Sequence, residues 1–263
     1  MLRTRIAPTP SGYLHIGNMV NFVLTARLAT EHGGRLQLRI DDYDSTRVRA
    51  EYVEDIFATC QWLGISFDTG PSGVSEFERS YSLPHRIERH REALRDLAPI
   101  GYTCDCSRAA IAAGTVPSAC IPRELPLSDP GVALRVRAPA LSVELGSHTV
   151  DLADLGDFVA WRSDGLPSYQ LGSLVDDRDS GTNLLVRGVD LLQSSAAQLY
   201  LARYIQAPAF SQARFWHHPL LTDDSGVKLS KSAGSQSQPA RMLASRHEVH
   251  VLADRMWHDL GTL

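Results

Sequence analysis

Two stretches of the chain combine residue types suited to phosphate chemistry. The first is Arg5-Ile6-Ala7-Pro8-Thr9-Pro10-Ser11-Gly12-Tyr13-Leu14-His15-Ile16-Gly17-Asn18. Residues 3–6 can form a short strand. Pro8 and Pro10 must end it, because neither carries a backbone N–H for a ladder. Gly12 marks a turn, and Asn18 is a good N-cap for a helix that follows. A helix N-terminus behind the carboxyl end of a parallel strand is an anion site. His15 stands just before that terminus and can donate to a phosphate oxygen. Gly17 has no side chain, so a nucleotide can approach the backbone. For His-x-Gly alone, a surface turn with an incidental histidine is the plainer alternative. The second stretch is Gly226-Val227-Lys228-Leu229-Ser230-Lys231-Ser232. Lys228 and Lys231 are the only lysines among the chain's 26 basic residues. Two lysines on a Gly/Ser loop can swing as point charges onto a polyphosphate. A solvated basic loop is the plainer alternative there.

The elements that must carry these stretches can be read from apolar spacing. From Asn18 to His32 the apolar positions Met19, Val20, Phe22, Val23, Ala26 and Ala29 form a broad helical face, closed by Gly33-Gly34. Residues Leu36 to Ile40 alternate like a strand, and residues 49–63 return to helical spacing through Val53, Ile56, Phe57 and Leu63. Strand, helix, strand, helix is a βαβ unit, hence an α/β fold with a parallel sheet. Residues 100–150 differ, carrying Cys104, Cys106, Cys120 and several prolines. They read as an insertion. Sheet patterning resumes at Leu184-Leu185-Val186, a helix runs from about Leu192 to Ile205, and Pro239 to Glu248 suit a last helix. The expected organisation is a catalytic domain in two halves, 1–99 and 151–235, an inserted subdomain over 100–150, and a helical tail over 236–263.

Composition narrows the function classes. Hydrophobic residues make up 43% and charged residues 21%, with a formal charge of −4. A strongly basic nucleic-acid coat is excluded, while a local basic patch is not. No apolar run approaches the roughly 18–20 residues of a membrane span. The N-terminus lacks an apolar signal core, so the expectation is a cytoplasmic chain without a membrane partner. In that compartment three clustered cysteines read first as a metal site. Cys60 lies inside a helical stripe and reads as a core residue. No G-x-x-x-x-G-K-[ST] run occurs, which disfavours a P-loop ATPase.

Taken together, these segments resemble the glutamyl/glutaminyl branch of the class I aminoacyl-tRNA synthetases. Arg5 to Asn18 is similar to that branch's opening signature, and Lys228-Leu229-Ser230-Lys231-Ser232 to its lysine-loop signature. Arg39-Ile40-Asp41-Asp42-Tyr43-Asp44 resembles the acidic motif that reads the amino group of the amino acid. Tyr169 with Val175-Asp176-Asp177, followed by Val186-Arg187-Gly188, resembles the stretch that gives a Tyr and an Arg to the amino-acid pocket. Only 31 residues follow Ser232, too few for the anticodon-binding region of full-length members. The cysteine cluster resembles the zinc-binding insertion of the short relatives, the glutamyl-Q-tRNA(Asp) synthetases. Those enzymes attach glutamate to queuosine in the tRNA(Asp) anticodon.

The resemblance implies a Rossmann-like catalytic domain with a small inserted subdomain and no anticodon domain. It implies ATP and Mg²⁺ as reactants, His15, Lys228 and Lys231 as catalytic groups, and Gly17, Asn18 and Ser230 as further ATP contacts. Arg5, Ala7, Thr9, Asp41, Tyr169 and Arg187 would hold glutamate. Cys104, Cys106 and Cys120 would hold zinc, with a water or a distant side chain as the unknown fourth ligand, because the tyrosine of those relatives is replaced by Val116; loss of the metal, with the thiols merely buried, is the alternative. Asp41 stands where bacterial glutamyl enzymes usually carry Glu, and Ser173 where full-length ones tend to carry Asn. The implied partner is tRNA(Asp) carrying queuosine. Apart from the resemblance, Arg108, Arg123, Arg135 and Arg137 in the insertion are candidates for a local patch that meets its phosphates, with a solvated face as the plainer alternative for each. Two alternatives stay open: an activator that passes the acyl group to a carrier protein or small metabolite, and a non-catalytic paralogue.

Overall fold

The structure is a computed structural model that describes residues 1–222 and 238–258. Its strands are β1 (Arg3–Ile6), β2 (Arg35–Leu38), β3 (Gly101–Cys104), β4 (Ala133–Val136), β5 (Ser142–Leu145), β6 (His148–Asp151), β7 (Phe158–Trp161), β8 (Leu184–Gly188) and β9 (Arg214–His218). Its α-helices are α1 (Ile16–Glu31), α2 (Ala50–Leu63), α3 (Val74–Glu76), α4 (Ile87–Arg95), α5 (Arg108–Ala112), α6 (Leu152–Leu155), α7 (Tyr169–Ser180), α8 (Leu192–Ala202), α9 (Pro208–Ser211) and α10 (Arg246–His258). The chain divides into two compact units. The first comprises Met1–His85, Thr182–Leu191 and Ala213–Leu263, the second Arg86–Gly181 and Leu192–Gln212.

The first unit is the parallel α/β layer expected from the βαβ pattern. β1 pairs in parallel with β2, Arg3 opposite Arg35 and Ile6 opposite Leu38. β8 pairs in parallel with β9, Leu184 opposite Arg214 and Arg187 opposite His217. The backbone N–H of Asn183, just before β8, donates to Arg3 O at 3.0 Å, and its side-chain Oδ1 accepts from Arg3 N at 2.8 Å. The start of β8 therefore lies beside the start of β1. Beyond the regular strands the pattern continues. Arg39 N donates to Ile6 O and Asp41 N to Pro8 O, both at 2.9 Å.

α1 buries residues on more than one side, among them Met19, Val20, Phe22, Leu24 and Leu28, because it lies against both strands and α10. Burying one such side chain fully stabilises the fold by roughly 1.5–3 kcal/mol. α10 turns Val249, Ala253 and Met256 into the same core at helical spacing. α2 buries Val53, Ile56, Cys60 and Leu63, and ends at Gly64, whose φ of 73° is the left-handed value a glycine C-cap supplies. The last helix is a correction to the sequence reading. Pro239 is extended, Ala240–Met242 form only a 3₁₀ turn, and the helix begins at Arg246.

The second unit contains the whole 100–150 segment. Its sheet is antiparallel, in the order β3-β4-β7. β5 and β6 form a separate hairpin. α7 is anchored to α4 by a buried cluster: Arg86 pairs with Asp176 Oδ2, and His90 Nε2 lies 3.1 Å from Asp176 Oδ1. Among the described residues no helix is long and apolar enough to cross a membrane.

Candidate active site

The opening motif lies on the loop between β1 and α1, at the carboxyl end of the parallel strands. The sequence reading placed the N-cap at Asn18. The structure moves it to His15, and α1 starts at Ile16. The reason is a reciprocal capping box. His15 Nδ1 accepts from Asn18 N at 3.3 Å, and Asn18 Oδ1 accepts from His15 N at 3.0 Å. This arrangement sets the imidazole chemistry. With Nδ1 accepting, the neutral ring carries its proton on Nε2, so Nε2–H is the donor it presents. Gly17 makes room for the ring. A Cβ at that position would meet His15 Cε1 and Nδ1 at 3.0 Å. Thus Gly17 serves the histidine as well as the backbone's accessibility.

Five of the six residues expected to hold an amino acid lie on or just beyond β1, β2 and β8 of the first unit. Arg5 and Arg187 are buried on β1 and β8. Ala7 is half-buried and Thr9 exposed, on the loop that leaves β1. Asp41 is fully buried beside Pro8 through the 2.9 Å backbone bond. Its carboxylate is held by Arg39, Nε to Oδ1 at 2.6 Å and Nη2 to Oδ2 at 3.3 Å, and Tyr43 Oη donates to Oδ1 at 3.4 Å. A carboxylate has about four lone-pair sites, so an ammonium can still be accepted while Arg39 fixes its orientation. Asp42 turns elsewhere, and its Oδ2 accepts the Leu83 backbone N–H at 2.8 Å.

Some contributors were not singled out in the sequence. Arg39 clamps Asp41. The signal was present, since residues two apart at a strand end share a face. Asn21, on α1, donates to Val186 O at 3.4 Å and lies 3.0 Å from His218 Nε2. His218 Nδ1 lies 2.8 Å from Pro219 O, so it carries the proton and Nε2 accepts from Asn21. Burial holds the His218 imidazole below the usual histidine value, against the opposing Pro219 carbonyl and Asp190. Arg187 Cζ lies 5.7 Å from the Phe215 ring centroid. No spacing rule pairs residues so far apart in sequence.

Tyr169 lies in the second unit as the first residue of α7, half-buried behind its Ser168 N-cap. Ser173 and Asp177 on that helix are fully buried. Lys228, Ser230 and Lys231 lie outside the described residues.

The second unit gathers the three cysteines as expected. Cys104 ends β3, Cys106 follows it, and Cys120 sits in the 3₁₀ helix Pro117–Arg123. Their sulfur atoms all lie within 4.8 Å of one another, and Cys106 Sγ and Cys120 Sγ are 3.5 Å apart. Burial opposes ionisation of Cys104. The Cys106 backbone N–H and hydrogen bonds from Cys106, Cys120 and Arg135 outweigh it and hold that thiol below the ordinary value. Hydrogen bonds to the other two sulfurs push Cys106 up to about 12. Three convergent sulfurs, one of them on a thiol held below its ordinary value, are a donor set that fits a thiophilic cation. Val116 is 62% exposed and has no donor atom to offer. Arg123 of the expected basic patch pairs within its own segment. Its guanidinium is forked onto Asp105 at 2.7 Å twice and reaches Cys120 Sγ at 3.7 Å. Its charge is therefore neutralised locally. Arg135 is half-buried and reaches Asp157 O at 3.4 Å, while Arg108 and Arg137 are exposed. Cys60 is buried in α2, apart from the cluster, as a core residue.

Comparison with known proteins agrees with this geometry. Residues 1–109 and 143–249 match the family described as tRNA synthetases class I (E and Q), catalytic domain. The chain is 35% identical over 261 residues to the glutamyl-Q tRNA(Asp) synthetase of Symbiobacterium thermophilum, covering 89% of this chain and 79% of that protein. It is 37% identical over 254 residues to the enzyme of the same name from Geobacter sulfurreducens, covering 90% and 77%. Among solved structures, the glutamate-tRNA synthetase of Elizabethkingia anophelis superposes with a TM-score of 0.72 at 21% identity. That likeness covers 89% of this chain and 54% of the other, and concerns the fold. The loop-to-helix turn at His15, the buried arginines at the strand ends and the family match over most of the chain coincide: the protein is a ligase of the class I aminoacyl-tRNA synthetase family, in its glutamyl/glutaminyl branch.

Proposed function

We propose that this chain activates glutamate with ATP and transfers the glutamyl group to queuosine in the anticodon of tRNA(Asp). The observation that carries the reading is charge complementarity at one set of strand ends. Two buried arginines, Arg5 and Arg187, suit a substrate's two carboxylates, and buried Asp41, oriented by Arg39, keeps lone pairs for its ammonium. Ala7 and Thr9, on the loop that leaves β1, and Tyr169 belong to the reading through their sequence motifs. The names of the relatives point to the same substrate and acceptor.

In the first step the glutamate α-carboxylate attacks the α-phosphorus of the ATP–Mg²⁺ substrate in line. A new P–O bond forms, the bond to the bridging oxygen breaks, and pyrophosphate leaves. His15 donates its Nε2–H to the phosphates, and the first N–H groups of α1 add their dipoles. Gly17 and Asn18 form the start of that helix. By their signature, Lys228, Ser230 and Lys231 meet the charge that grows on the leaving group. Positioning and electrostatics do the work, with no covalent enzyme intermediate. In the second step a queuosine hydroxyl attacks the mixed anhydride and AMP leaves. Arg108 and Arg137 suit contacts to a few tRNA phosphates, and binding that rests on few phosphates is modest and salt-sensitive.

Cys104, Cys106 and Cys120 would hold zinc, which when bound supplies a structural cross-link between the end of β3 and the Pro117–Arg123 helix. The direct test of the acceptor uses labelled glutamate and tRNA(Asp) with and without queuosine. Label confined to the queuosine-bearing tRNA supports the reading. Equal labelling of both, or preferred labelling of the tRNA(Glu) 3′ end, contradicts it.

A further inference from the structure

Asp55 belongs to neither chemical motif, yet its carboxylate organises the turn that carries one of them. It lies on α2 and is 2% exposed. Its Oδ2 accepts the backbone N–H of Leu14 at 2.9 Å. Its Oδ1 accepts from Arg241 Nη1 at 3.2 Å and from Thr59 Oγ1 at 3.3 Å. The carbonyl of Leu14 in turn accepts the N–H of Ala240 at 3.2 Å. Leu14 is thus gripped on both of its backbone polar groups, and the Asp55–Arg241 pair closes the ring. Leu14 immediately precedes His15, the α1 N-cap.

A buried carboxylate is an expensive way to fill this position. Packing alone would be served better by an apolar side chain of similar size, because a desolvated charge must recover its hydration from its partners. The cost shows in the titration: burial raises the Asp55 carboxyl above its usual range, against the Leu14 N–H, Arg241 and Thr59. What the carboxylate adds is direction. It fixes one loop N–H from the helix side and one arginine from the chain downstream of the lysine motif.

We infer that Asp55 is a positioning residue: through the Leu14 backbone, and with Arg241, it sets where His15 directs its Nε2–H. The inference rests on the proposed role of His15 at the ATP phosphates. Displacing a reacting group by about 1 Å from a distance can cost on the order of 10²-fold in rate. The contact involves no glutamate-binding residue, so the loss should fall on turnover rather than on glutamate affinity.

The test compares Asp55→Ala, Asp55→Asn and Arg241→Met with the full-length parent. Three quantities are read: glutamate-dependent ATP–pyrophosphate exchange, thermal stability, and the imidazole ¹⁵N signals of His15. Asp55→Ala is expected to lower kcat roughly 10–100-fold while the glutamate KM changes by less than about twofold. Arg241→Met is expected to move kcat in the same direction by less. In each case the His15 ¹⁵N signals should move from a single Nε2–H tautomer toward tautomeric averaging. If Asp55→Ala does not fold, Asp55→Asn, which keeps the shape and one acceptor, carries the same readouts. A folded variant with parental kcat and unchanged His15 signals overturns the inference. So does a loss shared equally between kcat and KM. A parent that fails to exchange with glutamate refutes the proposed function instead, and the His15 spectra still decide the role of Asp55.

Discussion

Gly17→Ala isolates the placement of His15 from the stability of the helix it caps. A Cβ at position 17 would sit 3.0 Å from His15 Cε1 and Nδ1. That is tighter than an ordinary carbon contact, so the ring must retreat by a few tenths of an ångström. That retreat breaks the 3.3 Å bond from Asn18 N to His15 Nδ1. Losing a helix N-cap costs about 0.5–2 kcal/mol. Against this, replacing glycine by alanine within a helix returns up to about 1 kcal/mol. The two offset each other to within about 1 kcal/mol, so in a chain of this size the melting temperature should move by no more than about 2–4 °C. Catalysis has no such compensation, and a displacement of this size should lower kcat by roughly tenfold. The assay is ATP–pyrophosphate exchange at saturating glutamate, with a thermal melt on the same preparation. A folded Gly17→Ala protein with kcat within about threefold of the parent would show that the ring's position does not matter.

Asp41→Asn should raise the glutamate KM about 10–100-fold, the worth of one hydrogen bond to a charged group, and should lower stability by weakening the buried pair with Arg39; steady-state kinetics and denaturant midpoints check both. Cys60, pushed up to about 12 by burial and then by Asp55, binds its proton more tightly folded than unfolded. Its contribution is fully present below the unfolded thiol value and is lost as pH rises toward 12, with a slope approaching about 1.4 kcal/mol per pH unit. Urea midpoints should therefore fall more gently with pH above 9 in Cys60→Ala than in the parent; equal slopes would contradict the assignment. Protein produced with zinc present should carry about one equivalent by elemental analysis, and Cys120→Ser much less; a parent without zinc refutes the proposed site.

The parallel unit was legible in the sequence because its cues are local. Apolar spacing announced α1 and α2, alternation announced β2, and the prolines at 8 and 10 ended β1. The cysteine cluster was legible because residues 104 and 106 are neighbours in the chain and position 120 follows within a short turn-rich stretch. The antiparallel strands β3 to β7 escaped, being four residues each, too short for alternation to stand out among prolines. A last helix starting at Pro239 is too early, because a proline suits a first helical turn without requiring one, whereas the buried stripe Val249, Ala253 and Met256 marks the real span. His15 as N-cap was hidden by the usual preference for Asn. Histidine can serve because its Nδ1 accepts as a short polar side chain does. Asp55 could not be found at all from spacing. Its meaning lies in a loop N–H far upstream and an arginine far downstream, and only folding brings them together.

The central claim, that the strand-end site selects glutamate and joins it to ATP, is tested most directly by ATP–pyrophosphate exchange without tRNA across a panel of amino acids. The account predicts exchange with glutamate well above that with aspartate, glutamine or alanine, and its loss in Arg187→Ala. Exchange with glutamate no faster than with alanine, or undiminished in Arg187→Ala, would contradict it.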